Sequence, residues 1–123
     1  MSLDGAIVKV QRESSVDDDD TAEATLRATL EVLGERISRE EAKDVAGQLP
    51  DEMETWVIDW DTESAQPFGV DEFCDRVADR LGVDTETAHN RAQAAVDALE
   101  MEISAFKRSA VQGQLPDEYD TLF

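Results

Sequence analysis

A segment that occurs twice is the feature of this sequence that most constrains its fold. Residues 48–52, Gln-Leu-Pro-Asp-Glu, return 66 residues later as residues 114–118. The same offset pairs identical residues along both halves: Thr21 with Thr87, Ala22 with Ala88, Ala28 with Ala94, Leu33 with Leu99, Ile37 with Ile103, Ser38 with Ser104, Val45 with Val111, Gly47 with Gly113 and Thr55 with Thr121. These pairs fall at apolar, capping and helix-ending positions. The sequence therefore predicts a duplication, with one domain (1–123) made of units 4–57 and 71–123 joined by a loop at 58–70.

Apolar spacing in the second unit predicts helices. The first stripe of this unit follows the i, i+3, i+4, i+7 pattern of an amphipathic helix: Val70, Phe73, Cys74, Val77, Ala78 and Leu81. Gly82 is suited to end this helix, and Asp84 to cap a second helix that runs to about Ile103. No segment shows convincing strand alternation. We therefore expect an all-α bundle of two pseudo-symmetric units with three to four helices each.

The end of the second unit repeats the same punctuation. Ser104 is suited to cap a third helix that Gly113 ends, and Pro116 to occupy the first position of a short last helix. The residues predicted to face inward are Phe106, Ala110, Val111, Leu115, Tyr119, Leu122 and Phe123.

The first unit follows this scheme with a weaker opening. Residues 7–10 form only a short apolar patch, and 14–20 read as a loop. A second stripe follows, and then Ser38 with Glu41 form a capping-box pattern. The residues predicted to face inward are Ala22, Leu26, Leu30, Leu33, Ile37, Ala42, Val45, Ala46, Leu49, Met53, Trp56, Val57 and Trp60.

The charge balance indicates the environment of the protein. Thirty acidic residues and eleven basic ones give a formal net charge of −19, with lysine at only three positions. Strong self-repulsion is screened at molar salt, where the Debye length is about 3 Å. We therefore interpret the chain as a halophilic protein of a salt-rich cytoplasm. The alternatives are an ordinary acidic protein and a nucleic-acid mimic.

Charge and hydropathy also disfavour some partners. Direct binding to DNA or RNA needs a basic patch, which this composition does not favour. No apolar run approaches the roughly 20 residues that cross a bilayer. The start of the chain lacks the basic flank and apolar stretch of a signal peptide, so the expected location is the cytoplasm, away from membranes.

The pattern of a long helix, then Ile-Ser, then Gly-Gln-Leu-Pro in both halves resembles the family catalogued as domain of unknown function 2267. The residues that carry the resemblance are Phe73, Val77, Arg80, Leu81, Gly82, Ile37, Ser38, Glu41, residues 48–50, Trp56, Ile103, Ser104 and residues 114–116. The resemblance covers nearly the whole chain and implies an all-helical fold. It supplies no activity and no catalytic residues. The sequence departs from the pattern at Gln11–Val16, which has no Arg-Leu-Gly ending, and at Lys107, which replaces the second capping-box acid.

Four candidate sites have simpler structural interpretations. The run Asp17–Asp20 lacks the ligand spacing and central glycine of a calcium loop, so we interpret it as a hydrated helix N-terminus and predict no metal. His89 has no Ser or Cys motif beside it and is predicted to lie at the surface or its boundary. Cys74 lies on an apolar stripe and is predicted to be buried and unreactive. The repeated 48–52 segment is interpreted as helix punctuation.

Trp56 and Trp60 are one helical turn apart and are the candidates for contact with a partner or ligand. Tryptophan is enriched at binding hot spots, but both side chains are equally suited to close the first unit's core. Without a catalytic motif or cofactor motif, the sequence favours a non-catalytic helical interaction or stress-associated module whose partner is a protein. Two alternatives stay open: a binding protein for a small apolar ligand held between the units, and an enzyme with a dispersed site.

The charge predicts that folding depends on salt. Carboxylates crowded onto a small domain repel each other in dilute buffer, and this repulsion opposes a free energy of unfolding that is typically about 5–15 kcal/mol. Thermal melts followed by helical circular dichroism, from low to molar potassium chloride, should therefore show a rising midpoint. A midpoint that is flat across that range would instead identify an ordinary acidic protein or a charge mimic.

Overall fold

The computed structural model describes residues 3–58 and 65–123, which form helices and contain no strand. The predicted all-α fold is therefore confirmed. The α-helices are α1 (Leu3–Glu13), α2 (Asp19–Arg36), α3 (Arg39–Ala46), α4 (Asp51–Val57), α5 (Val70–Leu81), α6 (Thr85–Glu100) and α7 (Ala105–Gly113), and a 3-10 helix, Asp117–Thr121, follows.

Side-chain caps set the starts of the long helices. Asp18 and Asp84 accept a hydrogen bond from the backbone N–H three residues later, at 2.9 and 2.7 Å. Ser38 and Ser104 do the same for α3 and α7 at 3.2 and 3.1 Å. These bonds satisfy backbone donors that the first helical turn leaves without partners. The predicted caps at Ser38, Asp84 and Ser104 are therefore confirmed.

Helix ends show where the sequence analysis needs correction. Gly82 ends α5 in the predicted left-handed conformation, with φ 68°. By contrast, α6 ends at Glu100, before the predicted Ile103, and its last carbonyls are closed by turns. Pro116 stands just before the 3-10 helix and not at its first position, because its carbonyl accepts the first bond of that helix, from Tyr119.

The opening of the chain is a full helix where the sequence showed only a short apolar patch. α1 buries Ala6, Ile7 and Val10 on one face. Ser14 bonds the Val10 carbonyl at 2.6 Å and so closes the end of the helix. The loop predicted at 14–20 is accordingly shorter, because α2 begins at Asp19.

Helix α2 lies at the centre of the core. Its predicted apolar stripe is buried, but so are residues on its other faces, including Thr25, Thr29 and Glu35. A helix that is buried on most sides has neighbours on most sides. These neighbours are α1, α3, α4, α5 and α6.

The helix starts obey the offset of the sequence repeat. α6 starts 66 residues after α2, α7 the same distance after α3, and the 3-10 helix the same distance after α4. Packing between the halves joins α1 to α6, α2 to α5, α2 to α6 and α3 to α7. The superposition of the two units in space stays a prediction.

Glycine at position 34 permits the close crossing of α2 and α4. A Cβ at Gly34 would lie 2.0 Å from the backbone oxygen of Val57, closer than any non-bonded contact. That oxygen belongs to the backbone and cannot move aside as a flexible side chain would. Changing Gly34 to alanine therefore forces the two helices apart.

We predict that Gly34→Ala lowers the free energy of unfolding by about 1–3 kcal/mol through overpacking. The matched control is Gly113→Ala, in the last turn of α7, where nothing lies within 4 Å of the added Cβ. This control should be neutral or stabilising by about 0.5–1 kcal/mol. Denaturant unfolding at fixed salt measures both variants, and equal effects would contradict the close-packing argument.

Candidate functional site

The repeated segments make a reciprocal contact between the halves. Gln48 Oε1 accepts a hydrogen bond from the backbone N–H of Ser104 at 2.7 Å. Gln114 Oε1 accepts one from the N–H of Ser38 at 2.9 Å, and its Nε2 donates to the Ser38 hydroxyl. The repeated segment thus ends one helix and holds the cap of the helix in the other half. Sequence analysis identified the punctuation but missed the role of the glutamines, although the shared offset of each Ser and Gln pair was a signal for it.

Lys107 completes the α3–α7 contact. Its side chain is 7% exposed, and its Nζ donates to Glu41 Oε1 at 2.8 Å and Asp44 Oδ2 at 3.1 Å. The hydrogen bond to Glu41 raises the pKa of Lys107, which therefore stays charged. Glu41 and Lys107 occupy matching positions of the repeat, 66 residues apart. The departure from the family pattern at Lys107 therefore places opposite charges where two acids would repel.

Phe106 points outward, contrary to the sequence prediction. It is 82% exposed, and Met101, in the turn between α6 and α7, is 49% exposed. The inward face of α7 is occupied by Lys107 and Val111, one helical turn apart. Sequence analysis treated the lysine as a surface residue and so assigned the wrong face of the helix to the core.

A charged cluster between α2 and α5 contains a buried carboxylate. Glu35 is 7% exposed and receives Arg80 Nη2 at 2.9 Å and Arg76 Nη1 at 3.4 Å. Arg76 also pairs with Glu72, and its guanidinium carbon lies 3.9 Å from the Phe68 ring centroid. A buried acid in a cleft was expected of an enzyme, but both Glu35 oxygens are held by guanidinium groups and neither faces a free reaction partner. Sequence analysis missed this cluster because its members are far apart along the chain.

The segment 65–69 is fastened beside this cluster. The Phe68 carbonyl accepts hydrogen bonds from Arg36 Nε at 2.8 Å and from the Tyr119 hydroxyl at 2.9 Å. Burial raises the pKa of Tyr119 to about 12, so the phenol stays a neutral donor. The end of the second half is thereby joined to α2 through the connecting segment.

The cavities of the described residues are either very small or open. The apolar crevice between the halves measures about 20 Å³, which is room for about one water molecule. Its lining is Leu33, Val45, Val96, Leu99, Glu100, Ile103, Arg108, Val111 and Phe123. A wider groove of about 500 Å³ lies beside Phe68 and Arg76 but is open to solvent.

Trp56 lies at the edge of the core. It is half-buried, packs against the core, and has the Arg27 guanidinium carbon 6.0 Å from its ring centroid. It also lines an open groove of about 250 Å³ together with Asp20, Glu23, Ala24 and Arg27. The other candidate, Trp60, lies outside the described residues.

Cys74 and His89 are placed as the sequence predicted. Cys74 is 2% exposed, and burial, with Asp71 and Asp75 nearby, raises the pKa of its thiol to about 11. His89 is half-buried at the surface boundary, with Nε2 3.4 Å from the Thr121 hydroxyl. Neither side chain is arranged as a nucleophile with a base.

The acidic run 17–20 forms the start of α2. Asp18 is the cap, and its hydrogen bonds to Thr21 hold the pKa of the carboxyl below its usual range. Asp19 accepts from Gln11 at 2.9 Å and so ties the start of α2 to α1. Among residues 3–58 and 65–123, no three His, Cys, Asp or Glu side chains lie close enough to hold a metal ion. In the same residues no helix is long and apolar enough to span a membrane.

We predict that Lys107→Glu lowers the melting midpoint by several degrees, because three acids then meet in a poorly hydrated contact. The Glu41→Lys single variant should do the same, since it opposes two lysines. The double variant exchanges the charges at matching positions and should recover much of the loss. If the double variant is instead as unstable as the sum of the two singles, the two side chains are not coupled.

Comparison with known proteins agrees with this arrangement of repeated caps and segments. No curated protein matches the chain. A family model described as "Uncharacterized conserved protein (DUF2267)" matches residues 4–122, which is nearly the whole chain. The protein therefore belongs to the DUF2267 family.

Proposed function

We propose that this protein is a non-catalytic helical interaction module that binds a partner protein through the surface around Phe106 on α7, in a salt-rich cytoplasm. The observation that carries the proposal is the 82% exposure of a phenylalanine on a chain with a net charge of −19. An exposed aromatic residue is a frequent anchor of protein interfaces. Met101, exposed five residues earlier in the chain, adds apolar surface between the ends of α6 and α7.

A salt-rich environment makes this mode of binding physically reasonable. At molar salt, charges farther apart than about 3 Å are screened, so charge attraction contributes little to specific binding. Apolar contacts persist under these conditions and are strengthened by anions that are excluded from the protein surface. A module that works at high salt therefore needs exposed apolar anchors such as Phe106.

The two alternatives have less support. A small apolar ligand needs a pocket of roughly 300 Å³ or more, whereas the crevice between the halves measures about 20 Å³. For an enzyme, the nearest candidate is Glu35, and its oxygens are already engaged by Arg76 and Arg80. Pairing of this kind supports a structural role.

The proposal is tested by replacing Phe106 with a photo-crosslinking phenylalanine derivative in host cells at native salt. We expect a discrete adduct of higher mass, whose partner mass spectrometry identifies. Gln112, which is exposed on the same helix, is the matched control position and should give no such adduct. With the identified partner, Phe106→Ser should weaken binding by roughly tenfold or more, because a buried phenyl ring contributes about 1.5–3 kcal/mol.

Two results would count against the proposal. An adduct of twice the chain's mass would indicate self-association and not a partner. The absence of adducts from Phe106, Gln112 and Trp56 would remove the support for an interaction module.

A further inference from the structure

The contact between α1 and α6 contains more acids than bases. From α1 it receives Lys9 and Glu13, which form an ion pair. From α6 it receives Asp97, whose carboxyl is hydrogen-bonded to that of Glu13, and Glu100. Glu100 also pairs with Arg108 of α7 at 3.5 Å. The helix contact thus joins two carboxyl groups directly, with a single ammonium group beside them.

The contact between α5 and α2 has the opposite character at matching positions. Arg80 of α5 stands 67 residues after Glu13, and Glu31 of α2 stands 66 residues before Asp97. The buried faces of α1 and α5 follow the same offset of 67, since Ala6, Ile7 and Val10 match Phe73, Cys74 and Val77. Where α1 and α6 bring together two acids, α5 and α2 therefore bring together an arginine and an acid.

The ion pairs of the α5–α2 contact are balanced. Arg80 lies 3.4 Å from Glu31 and 2.9 Å from Glu35. Arg76, which matches Lys9, adds a second guanidinium beside Glu35. One half of the molecule thus locks its first helix by opposite charges, whereas the other half sets like charges against each other.

We propose that α1 is a latch controlled by protons and salt, which closes on α6 when the Glu13–Asp97 pair holds a proton or is screened, and loosens when both carboxyls are ionised in dilute solution. Opening would release the apolar face formed by Ala6, Ile7 and Val10. The latch lies on α1 and α6 and goes beyond the proposed partner surface on α7, so either idea can fail without the other.

Titration of Asp97 supports this geometry. Burial, together with the hydrogen bond from Glu13, raises the pKa of Asp97 from 3.8 to about 6. The groups that act on its carboxyl are Glu13 and Lys9 from α1 and Glu100 from its own helix. The same hydrogen bond and Lys9 lower the pKa of Glu13, so the two carboxyls share one proton as a pair.

The direction of the pH effect follows from linkage. Because the pKa of Asp97 is raised in the closed state, its contribution to closure is complete below the ordinary value of 3.8 and is lost as the pH rises through about 6. The lowered pKa of Glu13 acts in the opposite direction, but only as the pH falls below its ordinary value of 4.5. Between 4.5 and about 6, acidification therefore closes the latch.

Native-state hydrogen exchange of the full chain tests the proposal, with α5 as the internal reference. After correction for intrinsic rates, lowering the pH from about 7.5 to about 5 in dilute salt should slow α1 exchange relative to α5 by on the order of tenfold. Raising potassium chloride to about 1 M at the higher pH should slow it in the same direction. An α1-to-α5 ratio that does not change with pH or salt would overturn the latch.

Substitutions distinguish the latch from general acid stabilisation. Asp97→Asn removes the repulsion and can still donate a hydrogen bond to Glu13, so α1 should be protected at both pH values. Glu13→Gln should do the same, which guards against an isolated folding defect in one variant. The matched control is Glu31→Gln, which removes an acid paired with Arg80 and should leave the pH response of α1 unchanged. If Asp97→Asn keeps the pH response of the wild type, another group controls α1 and the proposal is wrong.

Discussion

The burial of α2 on most of its surface is the constraint on which the rest of the structure depends. A surface helix needs one apolar stripe, but a central helix must present a packable side chain in every direction that has a neighbour. α2 does so with small and branched residues, and at Gly34 it has no side chain at all because the α4 backbone passes there. Helix α6 solves the same problem with buried alanines at positions 88, 92, 94, 95 and 98. Small residues allow close approach, so their abundance in this chain reflects tight helix packing.

A chain with thirty acids must place its carboxylates where each does least harm, and the structure uses three solutions. Asp18 and Asp84 stand at helix starts, where backbone N–H groups and the helix dipole stabilise negative charge. Glu35 is buried, but two guanidinium groups compensate its desolvation. Asp97 has neither solution and meets another acid, which raises the pKa of its carboxyl. The cost of the excess acid is thus concentrated in the contact between α1 and α6.

The sequence predicted the helices well because the signals for them are local. The Ser104 cap and the Gly82 ending depend on neighbours within one turn, and both are confirmed. The opening helix was harder to predict, because its apolar face has only three buried residues and its end is closed by Ser14 and not by a glycine. Its stability comes from packing on α6 and α2, which local patterns do not contain.

The sites were harder to predict because their partners are distant in the chain. Glu35 meets arginines 41 and 45 residues away, and Gln48 meets a cap 56 residues away. Periodicity reports which face of a helix is apolar, but it does not report that a lysine will be buried by two acids from another helix. The repeat offset was the only sequence signal that crossed this distance, and it placed Glu41 and Lys107 at matching positions before any contact was known.

The rotation of α7 about its axis explains why a lysine is inside and a phenylalanine outside at adjacent positions. Neighbouring residues of a helix point about 100° apart, so both cannot face the core. Turning α7 to bury Phe106 would gain about 1.5–3 kcal/mol of apolar burial, but it would carry Val111 outward at a cost of similar order. The apolar terms therefore nearly cancel, and the ion pairs decide. Glu41 would lose its partner in a poorly hydrated contact, so the helix keeps Lys107 inside. The exposure of Phe106 follows from this choice, and it leaves an aromatic ring available for a partner to cover.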